Sequence, residues 1–307
     1  MINPKPLSAP IGVEISGIDL REPLTNSQVS ELRELLDRHH LISFPGQGLS
    51  PEEQIAFTSQ FGPVTSDGAG DQLYGYISNQ RMDSGVHADS ALLWHSDNGW
   101  SPAPTHYIAL GGAKVVGRLA PTSFANSVRA AQLLPPQLRA RIAGLKTINV
   151  ADLAPLPEGD VPPSQKLLSE VRRVRQIPED DYYFPRWSYP LIWQHPRTRA
   201  ELLPVYEDFS VCIEGMTPAE SEEIYTQLFA ILYDEANVYH HHWRQDDLVI
   251  WDNIALQHGR PAFKGANGER TLLRTTINPN KESYLRHARR VADFGQMLRS
   301  QPAATSS

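Results

Sequence analysis

The run Leu92-Leu93-Trp94-His95-Ser96-Asp97-Asn98-Gly99-Trp100 sets an imidazole and a carboxylate one residue apart, and no other feature constrains the fold of this chain as much. In an extended segment alternate side chains point to the same face, so His95 and Asp97 can reach one metal ion. Two donors do not make a site, and many surface loops contain a His-x-Asp by chance. A third donor has to come from elsewhere in the sequence, and the fold has to bring it back.

The run from Asp247 to Arg260 offers that donor. An apolar, strand-like stretch leads to Trp251-Asp252-Asn253 and then to His258, and Gly268-Glu269-Arg270-Thr271-Leu272-Leu273-Arg274-Thr275 follows with two arginines. Two His and one carboxylate on one face of an octahedron describe a non-haem Fe(II) oxygenase centre, which leaves positions for a co-substrate and O2.

Composition narrows the alternatives. A chain of 307 residues with 40 % apolar and 21 % charged residues can bury a substantial core, and no apolar run approaches the roughly 20 residues that span a bilayer. Met1-Ile2-Asn3-Pro4-Lys5-Pro6 lacks the basic-then-apolar pattern of a secretory signal, so the expectation is a cytoplasmic protein with no membrane partner. A net charge of -7 argues against a nucleic-acid surface and for a small-molecule substrate, with homo-oligomerisation left open. The single cysteine, Cys212, excludes an internal disulfide or thiolate cluster and is expected to be a small buried residue. The 25 prolines and 20 glycines favour a β-rich body with long connections over a helical bundle.

Periodicity gives the elements. Residues 11–20 alternate as a strand, Thr25 with Gln28 forms a capping box for a helix ending near His39, and Leu41-Ile42-Ser43-Phe44 is a short buried strand. Ser50-Pro51-Glu52-Glu53 opens a second helix. Residues 64–90 show no sustained period and are expected to form a lid-like loop, and residues 151–181 an excursion from the core. His106-Tyr107-Ile108-Ala109-Leu110 is a strand, and two short helices are expected over 126–134 and 136–145. Strands follow over 191–194 and 202–206. Thr217-Pro218-Ala219-Glu220 caps a helix carrying Ile224, Leu228, Ile231 and Leu232 on one face, with strands over 238–243, 248–251 and 271–277 and a terminal helix over 284–298. His240-His241-His242 alternates between the faces of a strand and does not converge on one ion.

Taken with Gly17-Ile18-Asp19-Leu20 and Phe61-Gly62, the segments Trp94-His95-Ser96-Asp97, Trp251-Asp252-Asn253, His258, Arg270 and Arg274 make the whole chain resemble the taurine dioxygenase (TauD/TfdA) family of Fe(II)- and 2-oxoglutarate-dependent dioxygenases. The resemblance implies a mainly β, single-domain fold over 1–307 with flanking helices, a cupin-like double-stranded β-helix or jelly roll. It implies His95, Asp97 and His258 as metal ligands, and Arg270 with Thr122 on the distal carboxylate of 2-oxoglutarate. Arg274 falls on the C1 carboxylate of that co-substrate or on an anionic group of the substrate. Retention of Asp97 argues against halogenation, because related halogenases replace this carboxylate with a small residue.

The implied reaction oxidises a C–H bond of a small polar molecule, normally by hydroxylation, as O2 and 2-oxoglutarate are consumed and succinate and CO2 released. The same cofactors also support desaturation, cyclisation or nitrogen-centred oxidation, and a non-catalytic 2-oxoglutarate sensor is the weaker alternative. Family members acting on sulfonates carry a His shortly after Phe-Gly and an Asn four residues before the first ligand. Here Val64-Thr65-Ser66-Asp67 has no His and Ala91 takes the other place, which argues against taurine. Asp67 and Asn98 are further substrate-contact candidates. Trp94, Trp100 and Trp251 are expected to be mainly structural.

Overall fold

The computed structural model describes residues 2–7, 11–66, 71–81, 91–150, 186–262 and 267–279. Its amino-terminal part carries β1 (Pro4–Pro6), β2 (Val13–Ile15), α1 (Asn26–His39), β3 (Leu41–Phe44), α2 (Pro51–Ser59) and β4 (Val64–Thr65). Both helices begin where their capping boxes predict: Thr25 accepts from the Gln28 N–H and Ser50 from the Glu53 N–H, each worth about 1 kcal/mol. The strand expected over 11–20 shrinks to three residues. Gly12 and Gly17 flank it with φ of 86° and 81°, a backbone that ends a strand.

Next come β5 (Gly75–Ser78), β6 (Leu92–His95), β7 (Tyr107–Val116) and β8 (Thr122–Asn126); near the carboxy end lie β14 (Val238–His241), β15 (Leu248–Asp252), β16 (Leu256–Arg260) and β17 (Glu269–Ile277). These eight strands shuttle between two sheets. The larger sheet contains the order β15-β7-β17, extended by β5 on β17, by β3, β2 and β1 on one side and by β4 on the other; the smaller sheet runs β14-β8-β16-β6. That alternation is the connectivity of a double-stranded β-helix.

Leu110, Val249, Trp251 and Leu272 from the larger sheet meet Phe124 and Leu256 from the smaller, forming the core between them. The outer face of the larger sheet is covered by α1 and α2, where Leu32, Leu36 and Phe57 pack on Ile42, Phe44 and Ile250. Each such side chain contributes roughly 1.5–3 kcal/mol on burial.

Between β8 and β14 the chain inserts α3 (Ser127–Gln132), α4 (Pro136–Ile142), β9 (Lys146–Val150), β10 (Arg186–Pro190), β11 (Trp193–Gln194), β12 (Glu201–Leu202), β13 (Ser210–Ile213) and α5 (Pro218–Leu232). The insertion has its own core, in which Ile224, Leu228 and Leu232 of α5 pack on Leu138, Ile142 and Ile213. Cys212, expected to be buried, is only part-buried. It lies on β13, whose pairing with β9 shifts register between Ser210 and Cys212.

One expectation needs correction. Part of the 64–90 segment is sheet, since β4 and β5 both pair with β17, and strands of two and four residues are too short to show a period. Thr122 starts β8, and the Asn126 side chain caps α3. The triple-histidine segment behaves as expected, with His240 bonded to Ser123 on one face and His241 facing Asp247 on the other. The 151–181 excursion, the 284–298 helix and Asp67 lie outside the described residues.

One buried carboxylate ties the sheets to the insertion. Asp252 accepts from the Ile254 and Ala255 N–H groups, from His195 at 3.2 Å and from Arg197 at 2.8 Å. Burial alone would raise its pKa, but the His195 hydrogen bond and the Arg197 charge win and hold it at about 2, below the usual 3.8. A depressed carboxyl stabilises the fold above its unfolded pKa and loses that contribution as pH falls through the folded value, here about 2 kcal/mol lost between about pH 4 and pH 2. Urea titrations of Asp252→Asn across that window should show a flatter decline in stability than the parent protein. Parallel declines would remove Asp252 from the acid response.

Candidate metal centre

Antiparallel pairing of β16 with β6 sets His258 opposite His95, and the two rings lie 4.2 Å apart between centroids. His95 closes β6, whereas Asp97 sits in the turn that follows, so the pair converges across a strand end and not by alternation along one strand. Asp97 Oδ1 lies 3.3 Å from His95 Nε2 and 3.6 Å from His258 Nε2. One ligand atom from each residue falls within 4.8 Å of the other two, and among the described residues this is the only such group of His, Cys, Asp or Glu side chains.

The protonation states suit a cation. His95 Nδ1 lies 2.6 Å from the Leu93 carbonyl, which can only accept, so Nδ1 carries the proton and Nε2 presents its lone pair. Burial, reinforced by the nearby His95, pushes His258 down to about 3, leaving it neutral at pH 7. Burial opposes the charge on His95 as well, but Asp97 outweighs it and raises that imidazole. Asp97 is held well below the usual carboxylate range, because Arg274 and the two imidazoles outweigh its desolvation. Imidazole nitrogen and ionised carboxylate are the donor set that suits Fe(II), and a cation at His95 Nε2 would displace the proton that Asp97 favours there.

Asp97 divides its two oxygens. Oδ1 faces both histidines, while Oδ2 accepts from Arg274 Nη2. Arg274, Leu272 and Arg270 share one face of β17 and line the same cavity, about 90 Å³, with Thr122, Ile108, Leu110 and Trp251. Arg270 is 2 % exposed and donates to the Ala120 carbonyl; burial first, then the charge of Arg260, push it down to about 9. Thr122 Oγ1 accepts from Trp243 Nε1 at 2.9 Å, which leaves its own O–H to donate. A larger cavity of about 140 Å³ opens on the helix-bearing face of the same sheet around Gln54, Gly111 and Asp246, and none of the converging donors reaches it.

The turn that carries Asp97 is tightly fitted. Gly99 allows the close approach of Tyr206, since a Cβ there would lie 2.6 Å from the Tyr206 ring. Asn98 adopts φ 60° and donates to Thr105 Oγ1 at 2.8 Å, and it is not among the residues that line the cavity. Trp251 is core: it packs edge-on against His258 and Phe124. Trp94 stacks on Tyr233. Arg260 was not among the expected site residues, although it stands two positions beyond His258 on the same strand face, a spacing visible in the sequence.

The family model described as "Taurine catabolism dioxygenase TauD, TfdA family" matches residues 3–276. The chain belongs to the TauD/TfdA family. It is 28 % identical over 271 residues to the alpha-ketoglutarate-dependent 2,4-dichlorophenoxyacetate dioxygenase of Cupriavidus pinatubonensis, covering 82 % of this chain and 90 % of that protein. It is 27 % identical over 267 residues to the (S)-phenoxypropionate/alpha-ketoglutarate-dioxygenase of Sphingobium herbicidovorans, covering 82 % and 87 %. A taurine dioxygenase crystal structure from Burkholderia xenovorans superposes with a TM-score of 0.72 at 27 % identity, covering 90 % of each chain. This TauD/TfdA protein is therefore a jelly-roll, non-haem Fe(II)- and 2-oxoglutarate-dependent dioxygenase that uses O2 and acts on a small molecule. Among the described residues no helix is long and apolar enough to cross a membrane.

Removing one imidazole should cost more than the 10–100-fold typical of a residue behind a ligand. In calorimetric titrations with Mn(II), His258→Ala is expected to weaken binding by more than about 100-fold while the metal-free protein keeps its circular dichroism. Binding within a fewfold of the parent would exclude His258 as a ligand.

Proposed function

We propose that this dioxygenase hydroxylates a C–H bond of a small, carboxylate-bearing molecule, with iron held by His95, Asp97 and His258. Arg270 and Thr122 receive the distal carboxylate of 2-oxoglutarate, and Arg274 receives the anionic group of the substrate. One observation carries the reading: a single cavity combines the three converging donors with a buried arginine and a second arginine already seated on the ligand carboxylate. The names of the two phenoxy-acid relatives support a carboxylate substrate for Arg274.

The overall change is R–H plus 2-oxoglutarate plus O2 to R–OH plus succinate plus CO2. Iron, when bound, supplies O2 activation coupled to decarboxylation of the oxo acid. The protein's own part is placement. Arg270, buried beside a like charge, gains from any carboxylate that enters, and its planar fork fixes the orientation of the chain behind it. Ile108, Leu110 and Leu272 wall the cavity with hydrocarbon, which keeps water from competing. Arg274 sits against Asp97, so an anion on its outer side is held next to the metal ligands, with the bond to be oxidised at a fixed distance from them. The single domain over 1–307 is part of the same reading: the two sheets share one core, and Asp252 ties the insertion to it.

The test is succinate formation with Fe(II), 2-oxoglutarate and a panel of aryloxy and alkyl carboxylic acids, each paired with its methyl ester. At least one acid should stimulate turnover and its ester should not. A charge-assisted hydrogen bond contributes about 1.5–3 kcal/mol, so Arg270→Ala should raise the KM for 2-oxoglutarate roughly 10–100-fold. Arg274→Ala should raise the KM for the acid instead. Equal stimulation by acid and ester would overturn the carboxylate assignment, and no consumption of 2-oxoglutarate under any condition would overturn the activity.

A further inference from the structure

The metal-ligating carboxylate is held from behind by a residue that plays no part in the chemistry above. Asn253 follows directly on the end of β15 and is fully buried. Its Oδ1 accepts from the Asp97 N–H at 3.0 Å. Its Nδ2 donates to the Asp97 carbonyl at 3.1 Å and to the Thr105 carbonyl at 2.9 Å. One carboxamide therefore grips both peptide groups of the ligand residue, and its own N–H donates to the His106 carbonyl at 2.8 Å. Thr105 in turn accepts from Asn98, whose left-handed backbone turns the chain directly after Asp97.

We infer that Asn253 is the positioning residue for the Asp97 carboxylate, acting as a clasp that fixes the backbone from which the ligand projects. The inference rests on the assignment of His95, Asp97 and His258 to the metal. Three features require an amide at this position. Asp97 follows the strand end, so no ladder hydrogen bonds hold its peptide groups, and besides the carboxamide its carbonyl takes a longer bond, 3.4 Å, from the Thr105 N–H. The two histidines, in contrast, stand on paired strands and oppose each other by register alone. The acceptor and the two donors needed are the complement of a primary carboxamide, whereas a carboxylate would supply the acceptor but set charge against two carbonyl oxygens. The neighbouring Asp252 completes the device: it ties down the turn from Asn253 into β16, which carries His258. Adjacent residues thus set the two halves of the centre against each other.

The test uses Co(II) alone, titrated into the full chain and followed by its visible d–d absorption, with thermal unfolding of the metal-free protein measured in parallel. Asn253→Ala and the nearly isosteric Asn253→Asp are both expected to bind Co(II) roughly 10–100-fold more weakly than the parent, with an altered band shape. A buried carboxamide remote from the centre serves as control: Asn237 spends its Nδ2 on the Asn126 and Leu232 carbonyls. Asn237→Ala should lower thermal stability yet leave Co(II) affinity and spectrum unchanged. Folded Asn253 variants with parental affinity and spectrum would overturn the clasp while leaving the metal site intact. Failure of both variants to fold, or an equal loss of affinity in Asn237→Ala, would assign Asn253 to the fold alone. Absence of Co(II) binding by the parent would overturn the metal site and the clasp together.

Discussion

Everything chemical in this protein depends on the register of β16 against β6. Side chains alternate along a strand, so a slip of one residue would turn His258 to the other face and carry Arg260 with it. The register is held from both sides. His258 is opposite His95 on β6 and opposite Phe124 on β8, and Ser96 Oγ donates to the Leu256 carbonyl, locking the segment after β6 onto the start of β16. Trp251, arriving from the other sheet, closes edge-on over the His258 ring. The imidazoles are positioned by sheet pairing and core packing.

The carboxylate is positioned differently, and the difference explains the density of polar contacts in the turn. Beyond the strand end the turn pairs some of its own backbone groups, the Gly99 N–H with the Ser96 carbonyl and the Ser101 N–H with the Asn98 carbonyl, and others take partners from other elements. Asn253 serves Asp97, Asn149 Nδ2 donates to the Gly99 carbonyl at 3.1 Å, and Tyr189 donates to the Ser101 carbonyl. Each partner is buried and belongs to a different part of the chain. The candidate centre thus combines two donors held by strand pairing with one whose backbone is held by side chains.

Much of this was legible in the sequence, and the rest was not, for identifiable reasons. The capping boxes at Thr25, Ser50 and Thr217 placed three helix starts, because capping is a local interaction between residues three apart. Long strands such as β7 and β17 were visible by pattern. Short ones were not: β5 has four residues and is a strand only because β17 lies beside it. At the site, the metal trio, Arg270 and Arg274 were readable as motif positions, and the cavity brings them together. Asn98 reads as a substrate contact in sequence; its bond to Thr105 depends on where the chain returns seven residues later. Arg260 carried a signal, its two-residue offset from His258, that was available from spacing alone.

The insertion between β8 and β14 braces the turn that carries Asp97. Three of its hydrogen bonds to the segment carrying His95 and Asp97 end on that segment's backbone: the Asp208 N–H donates to the Trp94 carbonyl, the Trp94 N–H donates to the Glu207 side chain, and Asn149 Nδ2 donates to the Gly99 carbonyl. The same stretch presents Phe209 edge-on to the His95 ring. Two of the three hydrogen bonds use an insertion side chain, Glu207 or Asn149, so a substitution there reaches His95 and Asp97 through the backbone of the turn. In the sheet the converse holds, because at β16 and β17 alternation decides which side chains face the metal, so a substitution there acts on the centre directly.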